Sequence, residues 1–241
     1  MRSLIHFHHA SSSAVLALDV ARFVAERLRT ALLERPQALL VVSGGSTPVP
    51  FFEALSVEDM DWARVSITLA DERWLPPDHA DSNERLVRQH LLRERACAAH
   101  FVPLYNGAAT PAQGQPRAEA ALATLPWPAD VTVLGVGSDG HTASLFPRAS
   151  ALLTWPADAA PHVGSGLCMA VPVPEAPNVP VPRLSLTPQA LLRASQLLIH
   201  VTGGVKLDIL KQAQQAGPVA DLPIRLVLRQ TRVPCAVFQS A

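Results

Sequence analysis

The sequence predicts an α/β protein: a three-layer, Rossmann-like domain whose mostly parallel sheet is flanked by helices on both faces. Three observations carry this. Short apolar runs rich in Leu and β-branched residues, at Ala38–Val42, Val65–Leu69, 131–136 and Leu197–Thr202, read as strands buried on both faces. Segments of helical spacing separate them. Glycine turns follow three of these strands directly, at Gly44-Gly45, at Gly135-x-Gly137-x-x-Gly140 and at Gly203-Gly204. Strand, glycine loop and helix in recurring order is the pattern of right-handed crossovers in a parallel sheet.

In chain order, 4–7 reads as a first strand, and Ser11 to Ser13 offer N-caps to a helix over 14–33, where Val15, Leu18, Phe23 and Leu28 recur at helical spacing. Pro36 closes it. After Ala38–Val42, Pro48 suits the first position of a helix over 48–55. Val65–Leu69 ends in Asp71-Glu72-Arg73-Trp74, read as a turn, and Asp81-Ser82 caps a helix over 83–95. Residues 108–116 read as a polar loop and 117–125 as a short helix. The proline-rich stretch 152–182 is too apolar for a disordered linker; it reads as a lid or a packed surface loop, with a short strand at 167–171. Thr187 with Pro188 starts a helix to about Arg193. Helices after Gly203 and over 223–229 and a final strand at 235–239 complete the chain.

At 241 residues the chain fits one domain spanning 1–241 with a sizeable core. Its 20 Lys and Arg balance 20 Asp and Glu. No whole-molecule field therefore points to nucleic acid or a membrane, and anion recognition must be local. Cys97, Cys168 and Cys235 are widely spaced and odd in number, which favours free thiols in a reducing compartment over a disulfide frame or a zinc site. Neither a secretory leader nor a membrane-length apolar run is evident, so the expectation is a soluble cytoplasmic protein. His6, His8 and His9 suggest a metal only superficially, because no carboxylate or cysteine cluster completes a shell.

Chemistry concentrates in the strand-end loops. Gly135, Gly137 and Gly140 match the dinucleotide pattern G-x-G-x-x-G, yet Asp139 would oppose a pyrophosphate and Pro147 leaves room for barely two helical turns. An acid and an imidazole, Asp139 and His141, explain this loop better. In Ser43-Gly44-Gly45-Ser46-Thr47-Pro48, backbone N–H groups at a helix start form an anion site without a basic side chain. It is not a Walker loop, because no Lys follows. Arg73, Arg183 and Lys206 supply three cations near other strand ends. Together these suit a phosphorylated substrate that reacts at a carbon distant from its phosphate. No G-x-S-x-G elbow occurs, so water activated by His141 is preferred to a covalent acyl-enzyme.

At these residues the chain resembles the glucosamine-6-phosphate isomerase/6-phosphogluconolactonase family. The likeness rests on Ser43 to Pro48, Asp71-Glu72-Arg73 with Asp81-Ser82-Asn83, the long motif Gly135 to Pro147, Pro182-Arg183, and Gly203 to Lys206. It implies hydrolysis of 6-phosphoglucono-δ-lactone to 6-phosphogluconate without metal or cofactor; a monomer is a separate expectation, since the sequence itself does not reveal oligomeric state. His141 would be the base, Asp139 its support, and Thr47, Arg73 and Lys206 the phosphate ligands, with Gly44, Gly45, Ser46 and Arg183 beside them. By the same resemblance, the amino-sugar-phosphate deaminases carry Glu just before the loop proline, where this chain has Phe146. A non-catalytic sugar-phosphate sensor is a second rival, countered by the presence of both Asp139 and His141. Gly204-Val205 departs from the resemblance, which leads one to expect an acid before the lysine.

Overall fold

The computed structural model describes residues 4–149, 152, 166–175 and 178–241. Residues 153–165 and 176–177 of the stretch 152–182, read above as a lid or surface loop, lie outside them. Seven strands form one parallel sheet: β1 (Ile5–His9), β2 (Ala38–Val42), β3 (Val65–Leu69), β5 (His100–Val102), β6 (Val131–Leu134), β9 (Leu197–Thr202) and β10 (Cys235–Ser240), in the order β1-β10-β9-β6-β2-β3-β5. Strand order reverses between β2 and β6, for β2 leads outward to β3 and β5 while β6 leads the other way to β9 and β10. Ligands of open α/β sheets sit beyond the carboxyl ends of the strands at such a switch point. The glycine loops after β2 and β6 both emerge there.

Helix α1 (Ser13–Glu34) begins where the Ser12 hydroxyl accepts from the Val15 amide, 3.3 Å, and buries Leu16, Val20, Val24 and Leu28 along one face. That face packs on β2, β6 and β10. Helices α2 (Val49–Ser56), α3 (Asn83–His90), α4 (Pro111–Ala123), α5 (Pro188–Leu192), α6 (Gly204–Gln214) and α7 (Arg225–Arg229) follow. Exposed β1 needs no metal to explain its histidines: His8 stacks on Phe238 at 4.4 Å, and the Gln239 amide reaches the His9 ring at 3.1 Å. Among the described residues, no helix is long and apolar enough to cross a membrane.

Four departures from the sequence reading have physical causes. The stretch 108–116 is not a loop, because Thr110 caps α4 by accepting from the Gln113 amide at 3.2 Å and Pro111 occupies the first turn. Gly114, inside that helix, is buried, and the Trp74 ring fills the place of a Cβ. Helix α3 stops at His90, short of 95, and a 3₁₀ turn over Glu94–Ala98 leads into β5, too short to stand out in sequence. Finally, Asp71–Arg73 is not a turn. It is β4, paired antiparallel with β8 (Arg183–Leu186), which pairs in turn with β7 (Cys168–Val171). Of this second sheet only β7 was read, as the short strand at 167–171; β4 and β8 went unread because they are three or four residues long and carry charge.

Candidate active site

A cleft of about 770 Å³ opens at the switch point. Its floor begins with Ser43 at the end of β2, whose amide donates to the Val133 carbonyl of β6 at 3.1 Å. Gly44 is held against Asn83 so closely that a Cβ would fall on the side-chain amide. Gly45 turns the chain at φ +90°, which L side chains resist. The first turn of α2 offers few donors of its own, since Pro48 and Pro50 carry no N–H and the Val49 amide donates to the Ser46 carbonyl at 3.4 Å; it is the loop Gly44 to Thr47, ahead of the helix, that lines the cleft. From the first turn of α6, Lys206 extends Nζ to donate to Thr47 Oγ1 at 3.1 Å. Burial lowers the Lys206 pKa, so a cation is kept here at some cost to the empty protein.

The second sheet supplies the arginines. In the β4–β8 register Arg73 lies directly opposite Arg183. Like charges in that relation repel, and two acids offset them. Asp71 Oδ2 lies 3.7 Å from the Arg183 guanidinium, which is otherwise anchored by donating to the Val179 carbonyl at 3.2 Å. The fully buried Glu72 instead accepts from the amides of Arg73, Asn83 and Glu84 at 2.7 to 2.8 Å and from the Ser82 hydroxyl at 3.2 Å. Burial pushes its carboxyl up to about 7, against the lowering pull of those amides. Glu72 thus ties the start of α3 to β4, and so sets both Arg73 and Asn83. Arg73 donates to the Asp81 carbonyl at 2.7 Å. Across the cleft mouth the Arg183 guanidinium lies over the Phe146 ring, 5.3 Å from its centre, and that ring meets His141 at 4.9 Å.

The loop after β6 holds the titratable pair. His141 Nδ1 lies 2.5 Å from Asp139 Oδ1, which also accepts from the His141 amide at 3.1 Å. The Gly137 amide donates to the His141 carbonyl at 2.9 Å, closing the loop. A Cβ on Gly137 would collide with the imidazole, so only glycine lets the ring fold back onto the acid. The other oxygen of Asp139 accepts from Asn178 Nδ2 at 3.0 Å. Burial alone would raise the Asp139 pKa; hydrogen bonds and charge from His141, with Asn178, overcome this and hold it well below the usual carboxylate range. An ionised Asp139 places the proton on Nδ1 and leaves Nε2 of a neutral ring free to accept one.

All the residues singled out in the sequence (Gly44, Gly45, Ser46, Thr47, Arg73, His141, Arg183 and Lys206) line this cleft, and Asp139 stands directly behind His141. Sequence reasoning quoted Asn83 within a motif without giving it a role, and missed Asn178 and His200. A signal existed for His200, a polar residue within the buried run Leu197–Thr202, but none for Asn178. Among the described residues, ten buried side-chain N or O atoms lack a hydrogen-bond partner. Six of them belong to cleft residues: Ser43 Oγ, Arg73 Nε, Asn83 Oδ1, Arg183 Nε and both ring nitrogens of His200. Buried polar groups are otherwise paired almost without exception, so this concentration marks a surface built for a polar ligand.

The model for glucosamine-6-phosphate isomerases/6-phosphogluconolactonase matches residues 11–235. The chain is 47% identical to the 6-phosphogluconolactonase of Pseudomonas aeruginosa, over 90% of its own length and 89% of that protein. It is 43% identical to the 6-phosphogluconolactonase of Pseudomonas putida, over 93% and 89% respectively. A crystal structure of a 6-phosphogluconolactonase from Shewanella baltica superposes with a TM-score of 0.90 at 40% identity, covering 98% of each chain.

Proposed function

The chain belongs to the glucosamine-6-phosphate isomerase/6-phosphogluconolactonase family, and from that premise we propose that it hydrolyses 6-phosphoglucono-δ-lactone to 6-phosphogluconate, with His141 activating water. This is the lactone-opening step of the oxidative pentose phosphate pathway. One observation carries the assignment of roles: an Asp139-His141 pair faces a cleft whose other wall gathers Lys206, Arg73, Arg183 and the amides of the Gly44 to Thr47 loop.

The phosphate rests on that loop, with Thr47, Lys206 and Arg73 as its ligands and Arg183 beside them. Anchored there, the sugar ring extends toward β6 and presents C1 to His141. Nε2 removes a proton from water as the water oxygen bonds to C1, and the carbonyl electrons move onto oxygen. Asp139 stabilises the imidazolium that results. Collapse restores the carbonyl, breaks the bond from C1 to the ring oxygen, and returns the proton from Nε2 to that oxygen. A base so placed contributes about 10² to 10⁴-fold. The chain works as a cytoplasmic monomer on a small molecule, without metal, cofactor, nucleic acid or membrane.

Phe146 supports the lactonase over a deaminase, because an aromatic ring against His141 cannot donate a proton to a sugar ring oxygen. Two assays separate the readings. Loss of freshly generated lactone above its spontaneous rate, with no ammonia released from glucosamine 6-phosphate, is expected. Binding of 6-phosphogluconate by a folded protein without lactone turnover would overturn the enzyme in favour of a sensor.

A further inference from the structure

Beneath the anion loop lies a residue that the mechanism above does not use. His200 sits on β9, 4% exposed, and lines the cleft together with Ser43 and Lys206. Its ring meets Phe51 of α2 edge-on, with centroids 6.0 Å apart at 87°. Neither nitrogen has a hydrogen-bond partner. Whichever nitrogen carries hydrogen, the ring holds one unmatched donor and one unmatched acceptor. An ordinary core histidine donates to a carbonyl or carboxylate; this one packs edge-on against Phe51 and borders the cleft.

We infer that His200 is a further ligand of the substrate phosphate, donating its ring N–H to a phosphate oxygen from below while Lys206 and Thr47 hold the phosphate from the side. The inference rests on the phosphate placement proposed above. Two neighbours give it direction. Ser43 Oγ, on the same floor, is also buried and unpartnered, so the unmatched atoms are grouped under the loop. Burial, helped by the nearby Lys206 charge, lowers the imidazole pKa to about 4. The empty cleft therefore holds a neutral ring, and an arriving phosphate dianion offsets the lysine charge and accepts the N–H. An unsatisfied buried imidazole costs the free protein stability, as a binding group kept in readiness should.

His200→Leu separates this role from a structural one, because it removes the polar atoms yet keeps an apolar filling against Phe51. The variant is expected to melt at or above the wild-type temperature. Its KM for the lactone should rise roughly 10-fold or more, the size expected for a lost hydrogen bond to a charged group, with the effect on KM larger than that on kcat. Thermal protection by inorganic phosphate and by 6-phosphogluconate should shrink in parallel. His200→Gln, which restores an N–H, should recover part of the KM. Should the leucine variant fail to fold, the imidazole ¹⁵N resonances of His200 in the wild-type protein decide: they must move when inorganic phosphate is added. A less stable leucine variant with unchanged KM and unchanged phosphate protection, or ring resonances indifferent to phosphate, would overturn the inference. Because the phosphate measurements need no turnover, their outcome is independent of whether the lactone is the substrate.

Discussion

Asn178 shows how much of a site can hang on one amide. It reaches Asp139 Oδ2 from outside the glycine loop, and without it that oxygen loses a donor and the carboxylate draws harder on the imidazolium. Asn178→Ala is therefore expected to move the acid limb of the kcat/KM profile to higher pH, with KM little changed; a pH series checks it. Lys206→Ala should act in the opposite sense, raising KM about 10- to 100-fold, if its ammonium holds the ground-state phosphate as proposed. Steady-state kinetics with the spontaneous rate subtracted would show the split. That Thr47, Arg73 and Lys206 meet in one cleft was legible in the sequence, since they stand in compact motifs next to strand ends. Asn178 was not, because it lies in a proline-rich stretch with no periodicity, and only folding brings it to the acid.

At the scale of elements, the glycine loops are decided by close approach rather than by flexibility. Gly137 has no room for a methyl group beside the His141 ring, so Gly137→Ala should displace the imidazole and cost activity without unfolding the chain; circular dichroism alongside turnover tests both halves. The buried parallel strands were legible because a short, continuous apolar run between turn residues suits a strand covered on both faces and little else. Of the small sheet β4-β8-β7 only β7 was read: strands of three or four residues carry too short a pattern in β4 and β8, and Asp71, Glu72 and Arg73 look like solvent-facing residues. What folds them inward is the reciprocal demand of Glu72 for amides and of the α3 start for an acceptor. Thr110-Pro111 was a readable helix start hidden by the polar residues after it. Thr110→Ala should cost about 1 kcal/mol of stability, measured by urea unfolding.

For the whole molecule, acid stability follows from two groups with separate windows. An unfolded histidine titrates near 6.5, and His200 in the fold near 4. The unfolded chain thus binds more protons between these values. The penalty for protonating the buried ring is absent above pH 6.5 and grows as pH falls toward 4, costing the fold up to about 3 kcal/mol. Asp139, with its pKa depressed, adds stability that is lost only at lower pH. Urea midpoints between pH 7.5 and 4.5 should therefore fall more steeply for the wild type than for His200→Leu. The architecture was the most legible level of all, because strand, glycine loop and helix recur in an order that only a parallel sheet accommodates, and reversal of strand order between β2 and β6 then fixes where the loops converge. The central claim is that the His141 imidazole opens the lactone there, and its most direct test is the rate of loss of freshly generated 6-phosphoglucono-δ-lactone for the intact protein and for His141→Ala, with spontaneous hydrolysis subtracted. Rapid turnover that falls by about 10²-fold or more in a folded variant is the predicted result; a variant as fast as the parent would contradict it.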